Sequence, residues 1–346
     1  MSDRKRQKTT HNEILNTTSI TKFEQLPNEL ILMCFRYFDF YNLYEIFFCL
    51  NQRFNQLFQY QTKINMDLGS IPHGKFLTFC IKLNQLITTS QNYPLSIIAH
   101  DKHRFNLILE DDLFKNKFSK LKSLTLSNID AKTIYSLIFD KTTKLNQSLE
   151  RLSFLDEISR EIEASNDIKR LCGSLISSKM KSLKYLKLNF IPYSTWTGCE
   201  CGWHTCSDYI YLEFVKLAER ETSLSHLETL IIGNISNRYY ATTTIYFHTL
   251  ITDLLPCLPK LKNLLINAIH FEDYEWRQRH KALSATTTNS ILSLNLKVIK
   301  VWINSDYDVG NNMEKYINLV RNFFINNTSS HVATIKIFKI NNVNVL

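Results

Sequence analysis

Between residues 199 and 206 the chain reads Cys199-Glu200-Cys201-Gly202-Trp203-His204-Thr205-Cys206. Three thiols and an imidazole, Cys199, Cys201, Cys206 and His204, are the donor types that hold zinc. Structural zinc sites usually join two separated ligand pairs, whereas these four donors crowd into one short stretch. A zinc site, a redox-sensitive thiol loop and a plain loop that carries Trp196 and Trp203 to a partner are therefore all open readings. Elsewhere no arrangement suggests chemistry. There is no Gly-rich phosphate loop, no His-Glu-x-x-His and no nucleophile elbow, and the ten His are scattered. A general base needs convergent partners, and the spacing offers none. The expectation is a non-enzymatic chain without a cofactor.

The elements that position these residues belong to a mostly folded chain of 346 residues, with 44% hydrophobic and 21% charged residues. Only 7 Gly and 6 Pro argue against a Gly-rich dinucleotide fold and against long flexible linkers. The formal charge is +9. Its one dense run is Arg4-Lys5-Arg6-Gln7-Lys8, inside a polar stretch read as a disordered basic arm over residues 1–21. That run fits either an import signal or a solvated tail. The scatter of the remaining charge argues against nucleic acid as the main partner. No apolar run is long enough to span a bilayer, and no apolar stretch follows the basic N-terminus as in a secretory signal. A cytoplasmic or nuclear location follows as an expectation. The singly placed Cys34, Cys49, Cys80, Cys172 and Cys257 then read as buried reduced thiols.

Residues 22–60 carry three short helical patterns. Leu30, Ile31, Cys34, Phe35 and Phe38 have helical spacing after Leu26-Pro27. Pro27 suits a first turn, because its missing N–H costs nothing there. Asn42 can cap a second helix with Leu43, Ile46, Phe47 and Leu50, and Asn51 a third with Phe54, Leu57 and Phe58. So small a core needs a neighbour or a partner over its apolar faces.

This stretch resembles the F-box. The residues that carry the likeness are Leu26-Pro27-Asn28-Glu29-Leu30, Cys34-Phe35-Arg36-Tyr37-Phe38, Leu43, and Leu50-Asn51-Gln52-Arg53-Phe54. In that family the module faces a Skp-type adaptor and, through it, a cullin. The resemblance implies adaptor contacts at Leu26, Pro27, Leu30, Ile31, Phe35, Leu43 and Phe47. Two positions depart from the pattern: Asn42 stands for an acidic residue before the second helix, and Phe54 for a Trp.

Downstream, a string of the form apolar-x-x-apolar-x-apolar recurs. It reads Leu121-Leu124-Leu126, Leu149-Leu152-Phe154, Leu183-Leu186-Leu188, Leu227-Leu230-Ile232, Leu261-Leu264-Ile266, Leu296-Ile299-Val301 and Val332-Ile335-Ile337, with Leu95-Ile97 as a degenerate first copy. The starts lie between 28 and 44 residues apart, wider than the ~20–29 of regular leucine-rich repeats. Alternation within each string predicts a strand buried on one face. Helical spacing fills the gaps: Ile134-Leu137-Ile138, Ile168-Leu171-Leu175, Leu212-Val215, Leu250-Leu254 and Ile317-Val320-Phe324. The pattern resembles the irregular leucine-rich repeats attached to F-boxes. The expectation is an α/β chain with a three-helix F-box over 22–68. A curved leucine-rich-repeat solenoid follows over 69–346, with parallel strands inside and helices outside. A non-solenoid α/β domain is the alternative.

In such a solenoid the residues between buried strand positions are free. The early copies offer Ser123, Thr125 and Arg151; the later ones Tyr185, Lys187, Asn189, Asn263, Val298, Lys300, Trp302, Lys336 and Phe338. Tyr185, Lys187, Lys300, Trp302, Lys336 and Phe338 form the expected target-binding set, unless a C-terminal cap covers Trp302 and Phe338. A basic, aromatic surface suits an acidic or phosphorylated peptide. The leading expectation is the substrate-recognition subunit of a Skp–cullin–F-box ubiquitin ligase. A scaffold or tether outside ubiquitination keeps the same adaptor face and is the second reading.

Overall fold

A proline starts the first N-terminal helix, and short polar side chains start the next two. The Pro27 carbonyl accepts from the N–H of Leu30 and Ile31, both at 3.1 Å, and opens α1 (Asn28–Phe35). The Asp39 carboxylate accepts from the Tyr41 N–H at 3.0 Å and opens α2 (Phe40–Phe47). The cap is thus Asp39 and not Asn42, and the residue just before the second helix is acidic after all. Asn51 Oδ1 accepts from the Phe54 N–H at 3.0 Å and starts α3 (Gln52–Tyr60), as its type predicts. The computed structural model describes residues 23–48, 50–60, 64–90, 94–110, 120–158, 162–192, 210–214, 226–233, 243–271, 294–304, 309–328 and 334–340.

Strands and helices then alternate: β1 (Ile64–Asp67), α4 (Phe76–Ser90), β2 (Pro94–Ala99), α5 (Lys102–Glu110), β3 (Ser123–Ser127), α6 (Ala131–Phe139), α7 (Leu145–Ser148), β4 (Arg151–Ile158), α8 (Ile162–Ile176) and β5 (Tyr185–Pro192). After them come β6 (Ile210–Tyr211), β7 (Thr229–Ile232), β8 (Thr243–Tyr246), α9 (Phe247–Thr249), β9 (Asn263–His270), β10 (Val298–Asn304), α10 (Val309–Asn327) and β11 (Thr334–Ile340). Every described copy of the apolar string coincides with a strand. The strands missed are β6, β8 and β1, the last of which lies inside the span assigned to the helical module and pairs with β2. The helix expected over Leu212–Val215 is absent at residues 212–214, which follow β6 as irregular backbone.

The fold is α/β. Among the described residues eleven strands form one parallel sheet whose main path runs β1-β2-β3-β4-β5-β7-β9-β10-β11, in chain order. The order never reverses along the main path, and the right-handed crossover rule assigns the connections of such a sheet to one face. That face holds an apolar row along the register, Ile97, Leu124, Leu152, Leu186, Leu230, Leu264 and Ile299, each at most 1% exposed. Parallel sheets are normally covered on both sides. Here the opposite face consists mostly of half-buried and exposed residues, with Ser127, Asn189 and Asn267 buried on it.

A charge ladder runs along the N-terminal ends of the strands. The N–H groups of Glu150, Lys184, Glu228, Lys262 and Lys297 each donate to the carbonyl of the preceding member, starting at Lys122, over 2.7–2.9 Å. Side chains of alternating sign pair along it: Lys122–Glu150 at 3.0 Å, Lys184–Glu150 at 3.6 Å and Lys262–Glu228 at 2.8 Å. At the other end Gly233 (φ +82°) terminates β7, and a Cβ there would stand 2.6 Å from Asn267 Cβ. β8 then pairs with β6 and β9, and Thr243 Oγ1 donates to the Phe190 carbonyl at 2.9 Å.

No gap in packing separates the helical module from the sheet. Phe79 of α4 lies 5.3–6.3 Å from the rings of Phe40, Tyr41 and Tyr44. The Asp39 carboxylate also accepts from the Asp67 N–H at 3.0 Å and the Ser70 hydroxyl at 2.8 Å. The neighbour that so small a helical core requires is thus supplied in part by the chain itself.

Candidate functional site

Two surfaces of different chemistry stand out. The first belongs to the helical module. Ile31, Phe35, Leu43 and Phe47, expected to touch a partner, are instead at most 8% exposed. They face the module's own aromatic core, in which Phe35, Phe47, Phe54 and Phe58 have ring centroids 5.1–5.8 Å apart. Pro27 is exposed and Leu26 half-buried. Leu30 keeps the expected outward position at 45% exposure. The residues that join it outside are Met33, Tyr37, Phe38, Ile46 and Leu50, between 41% and 91% exposed. The helix α1 is apolar on nearly every side, so its periodicity contains two stripes and does not say which one turns inward.

Arg53 holds the start of this surface in place. Its guanidinium donates to Asn28 Oδ1 at 2.8 Å, to the Leu26 carbonyl at 2.5 Å and to the Glu24 carbonyl. A planar fork of donors suits several acceptors at once. The basic-aromatic pair Arg53-Phe54 therefore has two tasks: Arg53 ties the Leu26-Pro27 segment to α3, and Phe54 fills the core at 0% exposure.

The second surface is the open face of the sheet. Register places Arg151 beside Tyr185, and the guanidinium lies 4.4 Å from the ring centroid. Lys300 is opposite Lys336 and Trp302 opposite Phe338. The two aromatic rings stack at 4.6 Å with 18° between planes, and Phe338 remains 38% exposed. The full expected set thus shares one face. Lys187 and Tyr185 sit on β5, three strands along the sheet path from β10. Asn189 is the exception in the wider group: it is 1% exposed and does not reach solvent.

Ionic pairing separates the two edges of this sheet. Lys122 holds Glu150, and Lys262 holds Glu228, below the usual carboxylate range. Among the described residues Lys187, Lys300 and Lys336 form no ion pair. Both carboxylates of the rim are paired with lysines, whereas the lysines of the open face have no such partner among the described residues.

Cys199, Cys201, His204 and Cys206 lie outside the described residues, as do the basic arm and Cys49. Among the described residues no group of three His, Cys, Asp or Glu could hold a metal ion, and no helix is long and apolar enough to cross a membrane. Burial pushes the Cys172 thiol up to about 12, so it packs as an inert small hydrophobe. Comparison with family models, curated proteins and solved structures gave no match.

Proposed function

We propose that the chain is a non-catalytic connector: an F-box-like helical module docks a Skp-type adaptor, and through it a cullin, while leucine-rich-repeat strands present a protein target for ubiquitin transfer. The observation that carries this reading is the pairing of two unlike surfaces on one continuous core. An apolar patch of Leu30, Met33, Tyr37, Phe38, Ile46 and Leu50 suits the hydrophobic centre of a protein interface, where aromatic residues and Met are enriched. A singly wound sheet with one open face lacks the strand-order reversal at which doubly wound sheets bind small ligands. It offers an extended surface of the kind solenoids use for protein partners. The connector does no bond chemistry. It raises the effective concentration of a target lysine near the charged conjugating enzyme. Such assemblies work in reducing cytoplasmic or nuclear compartments, which agrees with the free thiols at Cys34, Cys172 and Cys257.

The test is a pull-down from cell extract with the full chain. Wild type is compared with Leu30→Asp plus Met33→Asp, whose exposed positions leave the core intact. Recovery of a Skp-type adaptor and a cullin by wild type alone supports the reading. Absence of the adaptor from both samples sinks it. Adaptor recovered without a cullin favours the scaffold reading instead.

A further inference from the structure

Resting on the reading that the open face holds the target, the geometry points to the kind of segment it takes: an extended protein stretch with anionic, apolar, anionic and anionic residues at alternate positions. One row of the sheet, traced by register, reads Lys187, Ile231, Leu265, Lys300, Lys336 from β5 through β7, β9 and β10 to β11. Like charges directly opposite each other in a sheet are destabilising, and Lys300 and Lys336 are such a pair. A doubly charged ligand group removes that repulsion, and either two carboxylates or one phosphorylated residue supplies it. Between the cations the floor is apolar, at Ile231 and Leu265. Beside Lys300 and Lys336 stand the stacked rings of Trp302 and Phe338, a wall on which the segment's backbone and stems can pack.

Spacing turns this row into an order of residues. Strands repeat every ~4.8 Å, so Lys300 and Lys336 lie ~14 and ~19 Å from Lys187 across the sheet. A segment lying along the row advances ~3.3–3.4 Å per residue, with alternate side chains facing down. Its first downward residue meets Lys187. The second, ~7 Å on, falls between Ile231 and Leu265. The third and fourth, ~13 and ~20 Å on, fall on Lys300 and Lys336. The first, third and fourth are acidic and the second is apolar. Among the described residues no acidic side chain stands in this row, so a partner supplies the complementary charge.

The experiment uses the full chain and fluorescein-labelled synthetic peptides of one composition. One carries acid, apolar, acid, acid at alternate positions; a second has the same residues scrambled; a third has phosphoserine at the third of these positions and a neutral residue at the fourth. A labelled oligouridine of similar length is the fourth probe. By fluorescence anisotropy the ordered and phosphorylated peptides are expected to bind at least ten-fold tighter than the scrambled one. Lys300→Glu plus Lys336→Glu is expected to remove that preference, with an unchanged melting curve as the control for folding. Equal binding of ordered and scrambled peptides, lost in the double variant, overturns the spacing but leaves the open face as the target site. Binding that the double variant does not change, or no binding of any peptide, overturns the inference. If that variant also leaves co-purifying target proteins unchanged, the target-site reading falls with it. Tighter binding of oligouridine than of any peptide assigns the face to nucleic acid and overturns both.

Discussion

The helical module and the sheet solve the same burial problem in opposite ways. The sheet repeats one solution: each strand of the row from Ile97 to Ile299 adds a buried aliphatic, and what remains outside is polar and cationic apart from residues such as Ile231, Leu265, Trp302 and Phe338. The module has no repeat to lean on. Its three short helices pool aromatic rings around Phe54 and leave Leu30, Met33, Tyr37, Ile46 and Leu50 outside. A periodic core can spend its apolar residues evenly; a local core of about 40 residues cannot cover all of them. The exposed chemistry of each region is therefore the remainder of its folding, apolar in one and charged in the other.

That comparison breaks most visibly at Phe54. Phe54→Ala empties the centre of the aromatic cluster and should cost about 3–5 kcal/mol. Because Phe79 and Asp39 tie the module to the sheet, far-UV circular dichroism and tryptophan fluorescence should report one shared unfolding transition. Two separated transitions would show the module to be an independent unit. Next in size is Gly233→Ala in the sheet. Its left-handed backbone alone costs an alanine about 1–2 kcal/mol, and the overlap with Asn267 adds to that. Asn128, also left-handed at φ +56°, is exposed, so Asn128→Gly should be close to neutral in the same denaturant titration.

A smaller and local effect is expected at Arg53. Arg53→Met keeps the stem and removes the charged fork, costing about 1–2 kcal/mol for hydrogen bonds from a partly exposed charge. Hydrogen exchange should rise at Leu30 and Ile31 and stay unchanged on the strands. Uniform loss of protection would mean that Arg53 supports the whole core.

The smallest effect lies on the charge ladder. Lys122, hydrogen-bonded to Glu150, lowers the folded-state pKa of that carboxyl. Its contribution is therefore present above the unfolded value of about 4.3 and is lost as pH falls through the lower folded value. Glu150→Gln should lower the denaturation midpoint slightly at pH 7 and have no effect once the wild-type carboxyl is protonated. Salt should shrink the pH 7 difference, because the pair is largely exposed. A difference that survives at low pH would assign it to packing instead.

The strings from Leu121 to Ile337 were legible because a two-residue period with one dry face leaves a direct mark on sequence. The strands β6 and β8 left none: Ile210–Tyr211 is too short to alternate, and Thr243–Tyr246 is buried at Thr243, Thr244 and Ile245 in succession. The open-face residues followed from the same alternation: Lys187, Lys300 and Trp302 each stand between two buried neighbours. Asn189 failed because β8 covers the end of β5, where Thr243 bonds Phe190.

By itself, the sequence determined most of the alternation of strands and helices, the buried side of each repeated strand, the helix starts at Pro27 and Asn51, and the shared face on which Lys187, Lys300 and Lys336 stand. These depend on local periods and on side chains that bond their own backbone. Only the tertiary structure decided which apolar stripe of α1 is hidden, that Asp39 joins module to sheet, and that Arg53 secures Leu26-Pro27. Where a helix is apolar all round, inside and outside are set by the neighbours it meets, and those lie far away along the chain.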